Sequence, residues 1–253
     1  MKWIRERVLS GEWLGGTFLN LGSSLTAEIA GKAGFDWLLI DIEHGMGDRQ
    51  ELLAQLQAVE ASAAAPVVRI GWNDFVLVKR VLDLGPSGIM IPYINSGEEA
   101  QRAAGALRYP PEGVRGVARL NRACGFGPEF SDYFQKANSH LLTVVQIETR
   151  PAIERLAEIA GVEGVDVLFV GPLDLSVSLG VPDQFDHPLV QDALARVAAA
   201  CRQTRKAAGI LVANEAQLKQ VKALGFTFVA LGSDGGIVVK EMRGIASLLR
   251  SLR

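Results

Sequence analysis

A (β/α)₈ barrel, the TIM-barrel class, is the fold this sequence predicts, on three observations. Its 253 residues match the size of one such domain, and apolar side chains make up 49% of them. Short runs rich in Val, Ile and Leu also alternate with longer segments of helical period, the pattern of βα units around a parallel sheet.

Eight runs read as strands: Leu14–Leu19, Phe35–Ile40, Pro66–Ile70, Gly88–Ile91, Leu141–Ile147, Val165–Val170, Gly209–Val212 and Phe226–Leu231. Between them, Arg49–Glu60 places Leu52, Leu53, Leu56 and Val59 on one helical face, and Leu189–Ala207 turns Leu194 and Val197 inward. Gly34, Gly85, Gly161 and Gly225 each stand where a helix must end and release the next strand. Residues 1–253 thus form one domain whose last helix covers about 236–252. One connection is long, Arg108 to Ser139; after a fourth strand it is expected over the catalytic face.

Composition narrows the function. With 26 Lys+Arg against 28 Asp+Glu, neither a polybasic surface nor an acidic tail stands out, which argues against nucleic acid and anionic membrane as partners. No apolar stretch approaches the roughly 20 residues of a bilayer span, and Met1–Glu12 lacks the apolar core of a signal peptide. Cys124 and Cys201 form neither a disulfide framework nor a metal-ligand spacing. A cytoplasmic enzyme acting on a small molecule is the expectation.

Chemistry in this fold gathers at the C-terminal strand ends. The second strand ends in Asp41-Ile42-Glu43-His44, the third in Arg69, the fifth in Gln146 and Glu148, and the sixth in Gly171-Pro172-Leu173-Asp174. Glu148 and Asp174 have no Cys or His beside them, so an ion they share is hard and oxygen-preferring: Mg²⁺ or Mn²⁺, with Co²⁺ among the alternatives. Two protein ligands leave room for a bidentate 2-oxo acid, on whose keto oxygen the ion would act as a Lewis acid. The bland alternative makes Glu148 the cap of a helix near Pro151 and Asp174 the cap of the next.

His44 is a candidate general base, or else a hydrogen-bonded structural histidine; His140 and His187 are not placed for chemistry. Arg69 suits an enolate or a carboxylate, or else a local salt bridge. No lysine stands at a strand end, so a Schiff-base mechanism lacks a nucleophile, and no organic cofactor is implied. The amides of the Gly171–Asp174 turn offer a cradle for a substrate carboxylate. Gly232-Ser233-Asp234-Gly235 superficially suits phosphate, but Asp234 would repel it, so the turn reads as structural.

These residues resemble the HpcH/HpaI aldolases, metal-dependent pyruvate aldolases of the phosphoenolpyruvate-binding barrels. The likeness runs from Leu14 to the last helix through five ordered motifs: the segment Phe35 to His44, Pro66 to Arg69, Arg108 to Gly116, Val145 to Glu148, and Val170 to Ser176. It implies that His44 is the base and Asp41 its partner, that Arg69 stabilises the enolate, that Glu148 and Asp174 hold the metal, and that Gln146 touches substrate. Asp83, by its own neighbours a solvated helix end, matches a residue that raises the histidine's basicity. The likeness further implies a homohexamer in which the C-terminal helix exchanges between subunits. Ile42 and Leu173 depart from the Gly and Ala common at these positions, so the choice of aldehyde is expected to differ.

Two other readings stay open. A CoA-thioester lyase of the citryl- or malyl-CoA type would use Arg102, Arg108, Arg115, Arg119 and Arg122 as a groove for CoA phosphates. A non-catalytic 2-oxo acid binding barrel would have no need of His44 or Arg69, and both are present.

Overall fold

The computed structural model describes residues 2–252, and eight parallel strands close into a barrel in sequential order, each paired with its chain neighbours and β1 with β8. The strands are β1 (Leu14–Leu19), β2 (Trp37–Asp41), β3 (Ala65–Arg69), β4 (Gly88–Ile91), β5 (Leu142–Ile147), β6 (Val167–Val170), β7 (Ala207–Val212) and β8 (Phe228–Ser233). The predicted runs for β1 and β4 agree with these limits, and the other six shift by one or two residues at one or both ends.

Helix α1 (Arg5–Leu9) precedes the barrel. Around it lie α2 (Ser24–Lys32), α3 (Arg49–Glu60), α4 (Phe75–Leu82), α5 (Gly97–Leu107), α6 (Phe130–His140), α7 (Arg150–Glu154), α8 (Leu156–Ala160), α9 (Pro172–Ser178), α10 (Pro188–Thr204), α11 (Glu215–Leu224) and α12 (Asp234–Ser251). Helix α10 stops three residues before the predicted Ala207. Arg205 takes a left-handed turn at φ 57°, a stop that no glycine announces in the sequence. Gly34, Gly85 and Gly225 have the positive φ expected of helix stops; after α8 it is Gly164, not Gly161, that turns left-handed.

The strand pleat sorts the side chains. On the inner face Leu14, Phe18, Trp37, Leu39, Val67, Met90, Val144, Phe169 and Phe228 fill the barrel as one cluster, while the outward residues pack under the helices as a second. Trp37 anchors the interior, stacked on Phe228 at 3.9 Å between centroids and edge-on to Phe169. Gly16 makes this possible, because a Cβ there would collide with the Trp37 indole.

The long connection corrects an expectation twice. It contains a 3₁₀ turn at Arg122–Cys124 and all but the last residue of α6, and it lies at the N-terminal end of the strands, away from the catalytic face. Helix α5 has already carried the chain back across the barrel before Arg108. There Ala123 N–H donates to the Asp83 carbonyl, Arg122 to the Leu84 carbonyl, and Arg108 to the Gly164 carbonyl.

Candidate active site

Inward parity continues past the apolar layers and brings polar side chains to the barrel mouth. On β2 the inward series is Trp37, Leu39, Asp41; on β3, Ala65, Val67, Arg69; on β5, Val144 and Gln146, with Glu148 next in step. Asp41 and Arg69 are register partners on adjacent strands. Their ion pair is bidentate: Arg69 Nε donates to Asp41 Oδ1 at 2.9 Å and Nη2 to Oδ2 at 2.6 Å, with both residues buried. Arg69 Nη1 also reaches Glu43 Oε2 at 3.1 Å, and its guanidinium lies 5.3 Å from the Phe18 ring centroid.

Glu148 is buried and held by two donors, the Tyr93 amide to Oε1 at 2.8 Å and Gln146 Nε2 to Oε2 at 2.7 Å. It caps no helix: Thr149 caps α7 by accepting from the Ala152 amide. Burial pushes the Glu148 carboxyl up to about 7, with Asp174 and Glu43 adding to the rise against the Tyr93 hydrogen bond and Arg69. Burial likewise raises Glu43, partly offset by Arg69 and His44 and reinforced by Asp41 and Asp174. Four carboxylates, Asp41, Glu43, Glu148 and Asp174, thus crowd one arginine.

That surplus of negative charge is what a cation would relieve. Among the described residues no group of three or more His, Cys, Asp or Glu forms a closed metal cage. Glu148 and Asp174 could together offer two carboxylates, an open arrangement suited to a hard ion that keeps places for substrate. Two further features fit. Gln146 Oε1 is buried without a partner, and Gly171 leaves open a space where a Cβ would stand 2.6 Å from Glu148 Oε2.

The helix after β6 differs from its counterparts. Ser23, Asp48, Asp74, Ser96, Thr149, Asn214 and Ser233 each cap, by a side chain, the helix that follows their own strand. Helix α9 begins at Gly171 with no side-chain cap, so Asp174 stands in its first turn as the expected neighbour of an anion cradle and not as its cap.

His44 lies exposed on the loop after β2, and its backbone amide, with that of Glu43, donates to Asp41 Oδ1. Asp41 therefore positions the histidine through the backbone; its carboxylate faces Arg69, which corrects the expected side-chain pairing with His44. The loop needs Gly45, since a Cβ there would collide with the Asp41 carbonyl. Asp83 is not brought to this site within the chain. It ends α4 at the opposite end of the barrel, where Arg115 Nη2 at 3.3 Å and Asn121 Nδ2 at 3.1 Å donate to it. Asp234 is structural as expected, accepting from the Asn20 and Gly235 amides and the Thr26 hydroxyl.

Sequence reasoning missed Tyr93. It follows β4 at φ 53°, a conformation few bulky residues adopt, and its amide orients Glu148. Its position just beyond the apolar run Gly88–Ile91 was the available signal.

Within the chain the arginines invoked for a CoA groove do not converge on the mouth, and Arg119 lies over the Phe130 ring of α6. Arg108 and Arg115 are buried at the far end of the barrel, Arg122 pairs with Glu60 there, and Arg102 pairs with Glu98 on α5.

Comparison with known proteins supplies the rest. The family model described as HpcH/HpaI aldolase/citrate lyase matches residues 15–240. The 4-hydroxy-2-oxo-heptane-1,7-dioate aldolase of Escherichia coli is 43% identical over 232 residues, 92% of this chain and 88% of that protein. An HpcH/HpaI aldolase/citrate lyase family protein from Burkholderia cenocepacia J2315 superposes with a TM-score of 0.93 at 37% identity, covering 98% of each chain. The HpcH/HpaI aldolase from Desulfitobacterium hafniense DCB-2 gives 0.90 at 27%, covering 98% of this chain and 97% of its own. Matched in sequence and in fold along almost its whole length, the chain belongs to the HpcH/HpaI aldolase/citrate lyase family and is a carbon–carbon lyase, an aldolase of the metal-dependent class.

Proposed function

We propose that this aldolase cleaves 4-hydroxy-2-oxo acids reversibly to pyruvate and an aldehyde, with Glu148 and Asp174 holding Mg²⁺ or Mn²⁺. The observation that carries the reading is the buried Glu148 carboxyl, pushed up to about 7 by loss of solvent first and by Asp174 and Glu43 in addition, a rise that a divalent cation would reverse. Such an ion supplies Lewis-acid polarisation of the keto oxygen.

The remaining work falls to the chain. The first-turn amides of α9 at Leu173 and Asp174, beside Gly171 and Pro172, receive the substrate carboxylate. Gln146, with its free buried carbonyl oxygen, contacts substrate next to Glu148. Arg69, fixed by Asp41, compensates the charge of the enolate as the C3–C4 bond breaks. His44 accepts the C4 hydroxyl proton in cleavage and removes the C3 proton in condensation.

Asp83 can act on His44 only from another copy of the chain, since its own barrel separates the two. A homohexamer with exchanged C-terminal helices would provide one. In support, α12 buries only Asp234 and Gly235 and leaves Ile237, Met242, Ile245, Leu248 and Leu249 more than half exposed. No helix among the described residues is long and apolar enough to cross a membrane. Both cysteines are free and buried, which agrees with a cytoplasmic setting.

The test is pyruvate release from a panel of 4-hydroxy-2-oxo acids by EDTA-treated enzyme before and after Mg²⁺ or Mn²⁺. Release restored by metal is expected and should vanish in His44→Ala. Release indifferent to chelation would sink the metal reading, and a thermal shift with CoA in place of pyruvate and Mg²⁺ would favour the thioester lyase.

A further inference from the structure

We propose that Asp234 and Asn20 are positioning residues for His44: the first turn of α12 holds the end of β1, and the end of β1 holds the loop that carries the histidine. The proposal rests on the reading of His44 as the base and adds to it what fixes that base in place.

His44 stands in the segment 42–48 between β2 and α3, which has no helix or strand of its own to hold it. On the near side the Glu43 and His44 amides tie the segment to Asp41. On the far side it rests on the β1–α2 loop. The Met46 amide donates to the Asn20 carbonyl at 2.9 Å, and the two backbones touch at a pair of glycines. A Cβ on Gly22 would stand 2.8 Å from the Gly47 nitrogen, and one on Gly47 would stand 3.2 Å from the Gly22 Cα.

Asn20, the residue after β1, is fastened in turn to α12. Its amide donates to Asp234 Oδ1 at 2.8 Å, its Oδ1 accepts from the Gly235 amide at 3.3 Å, and its Nδ2 reaches Ser233 Oγ at 3.5 Å. Asp234 Oδ1 also accepts from the Gly235 amide at 2.8 Å, and Oδ2 accepts from the Thr26 hydroxyl in the first turn of α2 at 2.7 Å. This buried carboxylate does not cap its own helix, because Ser233 does. Two of its three donors, Asn20 and Thr26, lie at either end of the β1–α2 loop, so it fixes the surface on which the His44 segment rests. The path from Asp234 through Asn20 and Met46 to His44 lies within one chain and holds whatever covers the mouth. A base moved by a fraction of an ångström loses rate before the site loses affinity.

Two reactions through one enolate separate the base from the rest of the site. Exchange of the pyruvate methyl protons requires that the C3–H bond break, with the proton passing to His44 and the electron pair becoming the enolate. Oxaloacetate reaches the same enolate when the bond from C3 to its carboxylate breaks and CO₂ leaves, the electron pair staying on C3 with no proton to accept. Whole enzyme with Mg²⁺ is assayed for pyruvate exchange in D₂O by NMR and for oxaloacetate decarboxylation; their ratio does not depend on how much of a variant is folded. Asp234→Ala should lower the exchange kcat about tenfold or more, part of the roughly 10²–10⁴ that a positioned base contributes. Pyruvate KM and decarboxylation should stay within about twofold of the parent. Asp234→Asn should recover most of the exchange, since its Oδ1 still accepts from the Asn20 and Gly235 amides and its Nδ2 can donate to Thr26 Oγ1. Gly47→Ala wedges the two loops apart with Asp234 intact, should lower the same ratio, and decides the matter if Asp234→Ala does not fold. An unmoved ratio in either folded variant, or an Asp234→Asn enzyme no better than Asp234→Ala, overturns the positioning role. A parent that fails in either reaction, or a His44→Ala enzyme that exchanges at the parent's rate, overturns the base reading and the positioning role with it.

Discussion

The two ends of this barrel handle buried charge in opposite ways. At the N-terminal end Asp166 is buried but answered: Arg5 Nε donates to Oδ1 and the Thr143 amide to Oδ2, both at 2.9 Å. Arg115, wholly enclosed, is packed against the Tyr109 and Tyr133 rings and bonds Tyr133 and Asp83, with its Nε alone left without a partner. Lys206 donates to the Val162 and Val165 carbonyls. At the C-terminal end four carboxylates face one arginine. Satisfied charge marks the end that holds the fold together; unsatisfied charge marks the end that works.

The comparison is broken most directly at Glu148. Glu148→Gln removes one negative charge from the crowd while keeping the shape. Cleavage should fall by about a thousandfold or more, because the Lewis-acid contribution is worth several kcal/mol. Thermal stability of the metal-free protein should hold or rise, since a neutral group suits that buried place better. Retained activity, or a drop in Tm of several degrees, would show that Glu148 belongs with the structural charges.

Asp41 belongs to both categories. Asp41→Ala leaves the buried Arg69 with Glu43 alone, a loss of about 3–5 kcal/mol by the usual cost of orphaning one partner. Urea unfolding should show that loss, with cleavage lost alongside it. If stability were unchanged, the bidentate pair would be less important to the fold than its geometry indicates. Asp166→Ala, at the other end, leaves the Thr143 amide buried and unpartnered, for about 1–3 kcal/mol of stability. Its kcat should match the parent's at a temperature where both are folded; a changed kcat would erase the division between the two ends.

Much of the working end was legible in the sequence, because the pleat does the sorting. Asp41, Arg69, Gln146 and Glu148 each extend an inward, otherwise apolar series, so reading polar residues at strand ends finds them. Tyr93 escaped because its contribution to Glu148 comes from a backbone amide, which no side-chain pattern reveals. Asp83 was legible by resemblance alone; its hydrogen bonds within the chain are those of a helix end. The segment Arg108–Ser139 was misread for a different reason. Helix α6 buries only Tyr133 and Ala137, too few apolar positions to set a period, and the side of the barrel it occupies depends on α5 having crossed back. The N-caps after the strands, in contrast, are short-range signals, and their absence at Gly171 is itself informative about the site.

A smaller effect sharpens the comparison through pH. In the metal-free fold the Glu148 carboxyl stands at about 7, above its ordinary value of 4.5. A raised acid favours the protonated fold, so its stabilising contribution is complete below about pH 4.5 and is lost as pH rises through about 7. A cation reverses the preference, because it binds the deprotonated carboxylate and must displace the proton below pH 7. Apparent Mg²⁺ affinity should therefore weaken about tenfold for each pH unit below 7, about 1.4 kcal/mol, and level off above it. Read as the rise in Tm on adding Mg²⁺, the effect should grow from pH 5 to pH 7 and then flatten. Asp166→Ala should follow the same curve, displaced to lower Tm, and Glu148→Gln should show none of it. A metal-induced rise that is constant from pH 5 to pH 8 would mean that the crowding at the mouth is relieved by some group other than the ion, and the contrast between the two ends would lose its physical cause.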